Sequence, residues 1–403
     1  MKEVFKMDLK KKSYLFYVYY FCIFCGVSLT NSFMSMYMAN HGVSEAAVGI
    51  LNGIVQVLGL LLYPLAGKIA DKTRTKNLVL YIELILCLTL AVIFYRSRGL
   101  LMMEIMMITF LTVFYGLTVI YETITVDYTS KAGMAYAPIR MCGTIGFSIM
   151  AGISGFFLAS REELLFPLMI GVLTTVTMLA FLLPKSYNRK QSAEERTEAA
   201  KKKESVLFLL KDREVRNVMI LFGIYWLTYA YNQSYFGIYS QELGGTYLLV
   251  GIANMLTGLS EIPFHIGRGR RWMKKIGTLK ALMVSTAVGV FRWTLCALTR
   301  NPYVLVFTMV LNGIMLVPTI VDVVEFLYRK APEHLKTSVA SGLKSPFMVG
   351  GQLIAHFAGG LSIAYWTLKN LNGIRITYWL AALISLIGFV YVFISDRRGR
   401  KLS

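Results

Sequence analysis

Long apolar runs alternate with short polar breaks along the whole chain. Each run is about 20 residues with little or no charge, the length an α-helix needs to cross ~30 Å of hydrocarbon. Breaking the sequence at charges, glycines and prolines predicts twelve spans, at roughly 14–38, 47–70, 77–95, 99–128, 138–160, 163–183, 214–240, 246–267, 277–298, 302–328, 337–360 and 372–395. Only Lys185 to Arg216 forms a long polar tract, dense in Lys, Arg and Glu. It divides the spans six and six. The predicted fold class is therefore an all-α membrane protein, with twelve transmembrane helices in two pseudo-symmetric six-helix bundles. The expected organisation is an N-terminal bundle over 1–184, a cytoplasmic linker over 185–213 and a C-terminal bundle over 214–403. The basic start (Lys2, Lys6, Lys10 to Lys12) runs straight into the first apolar stretch without a small-residue cleavage site, so it reads as the flank of a span, not a removable leader.

Composition agrees with this pattern. Of 403 residues, 56% are apolar and only 16% charged, against about 25% charged in soluble domains. Mean hydropathy is +0.57. The net charge of +20 would suit a nucleic-acid binder, but its distribution points elsewhere. With loops assigned alternately, one side collects the basic start, Lys68 to Lys76, Lys131, the polar tract, Arg268 to Lys280, Arg329, Lys330, Lys336 and Arg397 to Lys401. The other side holds Arg96, Arg98, Arg161, Arg300, Lys369 and Arg375. Basic residues concentrate on the cytoplasmic side of membrane proteins. Both termini and the linker are thus expected in the cytoplasm, in a multi-pass protein of the cell membrane that works as a monomer. The charge reflects topology, and no nucleic-acid partner is implied. The five cysteines all fall within apolar runs, and the Cys22-x-x-Cys25 pair has no basic neighbour to stabilise a thiolate. Both read as packing residues.

The two halves repeat. Gly67-Lys-Ile-Ala-Asp71-Lys72-Thr-Arg-Thr-Lys76 follows span 2, and a second basic loop from Arg270 to Lys280 follows span 8. An offset of roughly 200 positions also brings Arg140 onto Lys344, Glu122 near Glu325 and Asn31 near Gln233. At Gly67, Asp71 and Lys72 the chain resembles the major facilitator superfamily, whose signature loop joins the second and third helices. The copy departs from that pattern at Arg74, and the second copy carries Lys274 where an acid is usual. The resemblance implies a gating role for Gly67, Asp71 and Lys72, and a solute site near the midplane of parallel halves. Pro138-Ile-Arg140-Met-Cys-Gly143-Thr144-Ile-Gly146-Phe147 is similar to the same segment of the lactose permease and nucleoside–proton symporter branch, and Glu122 precedes it as an acid does there. That similarity implies solute contacts from Arg140 and Glu122. It also implies solute binding and coupling from Glu261 and Arg292, while Asn312 and Met315 replace the His and acid of the lactose permease's tenth helix.

Charges inside hydrocarbon cost roughly 2.5–3.5 kcal/mol each by insertion scales, so each one needs a reason. The intramembrane candidates are Glu83, Glu122, Asp127, Arg140, Glu261, Arg292, Asp322, Glu325 and Lys344. Arg140 offers a planar fork for a carboxylate or vicinal hydroxyls, and Thr144 and Phe147 follow it along the helix. Its alternative is a side chain reaching back to the nearby cytoplasmic surface. Glu261 is placed to exchange a proton, with Arg292 as its expected partner. Asp322 and Glu325 with Lys344 form a second coupling or gating set. Glu83 reads as a paired acid, and His265 and His356 as hydrogen-bonded packing residues. Span 7 carries Tyr225, Trp226, Tyr229, Tyr231, Asn232, Gln233, Tyr235, Phe236 and Tyr239. Of these, Tyr229, Asn232 and Gln233 are the candidates to meet a sugar ring or nucleobase. Asn31, Asn52 and Gln56 offer further hydrogen-bonding groups from the N-terminal half, and Gly143, Gly146, Gly152 and Gly155 permit close helix packing.

No catalytic constellation, metal-ligand set or phosphate-binding Gly-Lys loop occurs, so neither an enzyme nor a cofactor is expected. The reading is a secondary transporter, a proton-coupled symporter of a small polar solute (saccharide or nucleoside) working by alternating access. A proton-driven multidrug efflux antiporter is the alternative, and it would favour an acid in an otherwise apolar cavity.

Overall fold

A computed structural model of the chain describes residues 12–187, 206–332 and 339–400. The N-terminal half places span 1 at Tyr14–Asn40, span 2 at Glu45–Lys72, span 3 at Lys76–Arg96, span 4 at Leu100–Ala132, span 5 at Ala137–Ser160 and span 6 at Leu165–Leu182. Span 7 follows at Arg213–Glu242, span 8 at Tyr247–His265, span 9 at Thr278–Leu298, span 11 at Ser345–Leu368 and span 12 at Gly373–Arg400. Span 10 occupies Pro302–Lys330, and a short basic helix, Gly267–Ile276, leads into span 9. Among the described residues no strand forms beyond a single bridge between Thr75 and Tyr187.

The helix ends follow local chemistry. Ser44 caps span 2 by accepting from the Ala47 amide at 3.2 Å, and Asn301 caps span 10, with Pro302 in the first turn where its missing N–H costs nothing. Span 4 stops at Gly133, whose φ of 66° is a left-handed conformation that glycine adopts without strain. Asp212 caps span 7 through the Glu214 and Val215 amides. Partial burial pushes the Asp212 carboxyl up, but the bonds from Lys330 and those two amides outweigh it and hold its pKa below the usual value. Span 10 is interrupted by a π turn at Pro318–Asp322, and a second π turn at Ala340–Lys344 leads into span 11.

Eleven of these helices are long and apolar enough to cross a membrane. Span 7 is the exception, because it carries Asn217, Thr228, Asn232, Gln233, Ser234 and Ser240 among its tyrosines. The outer faces are apolar instead of polar. Leu61, Leu101, Phe156, Phe291 and Leu361 are all exposed, a surface that water would not tolerate at this scale and that lipid requires.

The same pairing scheme recurs in both halves. Span 1 packs on span 5 and span 6, and span 3 on span 4 and span 6. Likewise span 7 packs on span 11 and span 12, and span 9 on span 10 and span 12. The sequence repeat is thus a repeat of topology. Contacts divide the chain into two compact units, Met1–Lys190 with Gly245–Met255, and Gln191–Gly244 with Leu256–Ser403.

Most of the expected linker lies outside the described residues, and its two ends are anchored. At the start, the Lys76 amide donates to the Ser186 carbonyl at 3.0 Å, and the Ser186 amide donates to Asn77 at 2.8 Å. At the other end, Val206–Lys211 forms a 3-10 turn. Val206 and Leu209 are buried with Val215, Phe222, Phe326 and Leu343. Val206 and Leu209 provide the apolar face that burial requires.

Candidate functional site

In the N-terminal half, span 5 and span 1 approach closely because span 5 lacks side chains at the contact. A Cβ on Gly143 would lie 2.7 Å from Cδ2 of Phe24, and one on Gly146 would collide with the Phe21 carbonyl. Phe24 therefore lies against span 5, one turn from Arg140, and the Arg140 guanidinium sits 4.3 Å above its ring centroid. This is the distance of a cation–π contact. Tyr20 stacks on Phe24 at 6.1 Å and meets Tyr121 and Tyr136 edge-on at 5.3 and 6.0 Å. The Tyr20 hydroxyl donates to Tyr136 (3.3 Å), which donates to the Glu122 carboxylate (3.4 Å). Arg140 and Glu122 share Tyr121 and Tyr136 as electrostatic neighbours. The result is a half-buried cation and a half-buried acid beside the same tyrosine rings, and among the described residues the Arg140 guanidinium pairs with no carboxylate. Thr144 and Phe147 are half-buried on the same helix. Nearby, Tyr115 donates to Asn31 at 2.8 Å.

The second part of the candidate set lies in the C-terminal half. Tyr225 and Tyr229 stack at 5.4 Å, with Trp226 edge-on to both. Arg292 and Glu261 both lie within electrostatic reach of Tyr225 and Tyr229. The expected ion pair between Glu261 and Arg292 does not form. Glu261 instead lies 3.8 Å from His265, one turn along its own helix. Arg292 is wholly buried and donates to Asn312 at 3.3 Å and to the Met309 sulfur at 2.7 Å. The i, i+4 spacing of Glu261 and His265 brings the two side chains together on one face of their helix.

The pairing of Asp322 and Glu325 also differs from the sequence reading. Their cation is Arg270, from the basic helix, and not Lys344. Arg270 bonds Asp322 with one arm and Glu325 with the other, the latter at 2.8 Å. Lys344 closes the π turn ahead of span 11. A long flexible arm on the short basic helix reaches where the repeat offset suggested a partner from span 11.

Other candidates are placed as follows. Asn232 is buried and accepts the Tyr378 hydroxyl at 3.0 Å, whereas Gln233 is half-buried. Tyr231 and Tyr239 donate to backbone carbonyls of Ile374 and Cys296, so part of the span 7 aromatic run is internal packing. Asp71 and Lys72 lie exposed in the last turn of span 2, and Gly67 is half-buried. Behind that loop Asp127 accepts from Lys76 at 2.8 Å and Ser186 at 3.0 Å. One oxygen of Glu83 is buried without a hydrogen-bond partner among the described residues. His356 bonds Ser234 at 3.2 Å, and Cys25 bonds the Gly146 carbonyl, as packing residues do. Sequence reasoning did not single out Tyr20, Phe24 and Tyr136. The i, i+4 spacing of Tyr20 with Phe24, and of Tyr136 with Arg140, is the signal that would have found them.

A set of helices long and apolar enough to cross a membrane, with apolar outer faces and half-buried polar groups, is the architecture of a membrane transporter. The MFS_1 like family model matches residues 14–371, and the chain belongs to that family of major facilitator transporters. It is similar to the maltose permease of Geobacillus stearothermophilus, 22% identical over 391 residues, with 94% of this chain and 98% of the permease covered. It is 23% identical over 355 residues to the sucrose permease of Escherichia coli, covering 83% of this chain and 81% of that one. Among solved structures, a mutant of the nucleoside transporter NupG superposes with a TM-score of 0.81 at 14% identity, covering 95% of this chain and 99% of NupG.

Proposed function

We propose that the chain is a proton-coupled symporter of a small polar solute, a saccharide or nucleoside, working by alternating access between its two bundles. The observation that carries this reading is the Arg140 site. Its guanidinium is held by stacking on Phe24, a contact through its flat face that directs its N–H donors in the plane of the fork. Tyrosine rings beside it suit the faces of a sugar or base, and Glu122 adds a carboxylate to the same neighbourhood. Such a polar, fixed arrangement favours hydroxyl-bearing cargo over the apolar cations an efflux antiporter would carry. The permease names of the relatives and the nucleoside name of the structural neighbour support the same solute classes.

In this reading Arg140, Glu122, Thr144, Phe147, Tyr229, Asn232 and Gln233 bind the solute. Glu261, Arg292, Asp322, Glu325 and Lys344 carry coupling, and Gly67, Asp71 and Lys72 gate. Glu261 exchanges the proton, since its carboxyl is buried with His265 3.8 Å away on the same helix. The protein works as a monomer in the cell membrane, with bundles at 1–184 and 214–403 and with the 185–213 linker and both termini in the cytoplasm.

The test is Arg140→Lys. Lysine keeps the charge but loses the fork. A hydrogen bond from a charged group is worth about 1.5–3 kcal/mol, so the affinity for the bound sugar or nucleoside should fall roughly 10- to 150-fold. Equilibrium binding to the purified protein in nanodiscs reads this, with thermal unfolding as the control for folding. Affinity within about three-fold of the original would remove Arg140 from the site.

A further inference from the structure

Among the described residues Arg292 in span 9 has no anionic partner. It is wholly buried, and its contacts are the Asn312 oxygen at 3.3 Å, the sulfurs of Met309 and Met315 at 2.7 and 3.9 Å, and the face of Trp293. Its Nε has no acceptor. Every one of these partners is neutral, and thioether sulfur is a weak acceptor. Removing one member of a buried ion pair is strongly destabilising, because it strands the other charge. A guanidinium left in that condition by the fold is arranged to meet a negative charge from outside it.

The neighbouring groups share the same shortage. The Asn312 amide nitrogen, the Trp226 indole N–H and the Tyr225 hydroxyl are all buried without a partner. Asn312 is bonded to Arg292. Tyr225 is within electrostatic reach of Arg292 and meets Trp226 at 5.5 Å. The amide nitrogen, the indole and the guanidinium can only donate. What they lack is acceptor oxygen. Glu261 is near, yet its carboxylate rests on His265. A single guanidinium with neutral donors around it matches one negative charge on two oxygens. A phosphate dianion would leave a second charge uncompensated.

We propose that Arg292, Asn312, Tyr225 and Trp226 form a carboxylate-binding subsite, and that the cargo is an acidic monosaccharide such as a uronate or aldonate. This rests on the saccharide reading above and narrows it. The carboxylate displaces the methionine sulfurs from Arg292 and takes the fork, and the Tyr225–Tyr229 stack receives the apolar face of the ring.

The experiment measures binding of glucuronate, glucose and acetate to the full chain in nanodiscs, by calorimetry and thermal shift. Glucuronate should bind at least ten-fold more tightly than glucose. That ratio should fall below two-fold in Arg292→Gln. It should be intermediate in Arg292→Lys, which keeps the buried charge and guards against misfolding of the first variant. Acetate should compete with glucuronate. Equal binding of the two sugars, a preference retained in Arg292→Gln, or acetate that leaves glucuronate binding untouched would each overturn the subsite. Binding of neither sugar would sink the saccharide reading, and acetate then decides alone. Thermal stabilisation by acetate that depends on Arg292 would keep an oxyanion site for another acidic cargo, and its absence would remove the site.

Discussion

Replacing Gly143 by alanine tests whether the Arg140 site is built by the approach of span 5 to span 1. The added methyl would stand 2.7, 2.9 and 3.1 Å from Cδ2, Cγ and Cε2 of Phe24. Carbon atoms rest at about 3.5–4.0 Å, so the ring has to retreat by roughly 1 Å. Because Cγ is the root of the ring, a simple flip does not relieve the clash. The ring is also the platform under Arg140. Overpacking of this kind costs roughly 1–3 kcal/mol of stability. Loss of the stack costs about 0.5–2 kcal/mol of the energy that holds the guanidinium in place, which is a factor of ~2 to 30 in solute affinity. Binding to Gly143→Ala, Phe24→Leu and the double variant would be compared in nanodiscs. Gly171→Ala serves as the control, since a methyl there meets nothing within 4 Å. The two changes act on one platform, so the double variant should bind no worse than Phe24→Leu alone. Fully additive losses, or a loss in Gly171→Ala as large as in Gly143→Ala, would refute the reasoning.

Two further outcomes are expected. Glu261→Gln mimics the protonated acid at nearly constant volume, so proteoliposomes should still exchange solute but fail to concentrate it against a gradient; retained uphill uptake would shift the coupling role to Asp322 and Glu325. Arg270→Gln strands an Asp322 side chain that is only 7% exposed, so thermal unfolding should occur at clearly lower temperature, by a loss on the order of 3–5 kcal/mol, and adding Asp322→Asn should restore most of it. An unchanged melting profile would show that the Arg270 bridge carries no stability.

The number and order of the helices were legible because apolar run length answers directly to bilayer thickness. The interior was legible only in part. Arg140 stood out because a charge in an apolar run needs a reason, but Phe24 beneath it looked like any other apolar residue until the glycines on span 5 were seen to admit it. Pairing was the weakest inference. Glu261 found His265 within its own helix, and Asp322 and Glu325 found Arg270. Sequence offset orders positions along spans but does not say how far an arginine arm reaches. Span 11 runs on to Leu368 past Gly359 and Gly360, which read as a stop in the sequence. In the structure Gly359 is where the Tyr231 ring lies against the helix.

Span 7 bears on how the protein is made. The translocation machinery admits segments to the bilayer largely by their own apolarity, and a helix carrying Asn217, Asn232, Gln233 and Ser240 gains little from lipid alone. Its polar groups are matched by later parts of the chain, with Asn217 on Ser395, Asn232 on Tyr378 and Ser234 on His356. These partners leave the ribosome long after span 7 does. Secure residence of span 7 in the bilayer therefore waits on spans 11 and 12, so the C-terminal bundle is assembled as a unit and a nascent chain cut short before them leaves its seventh helix unsupported.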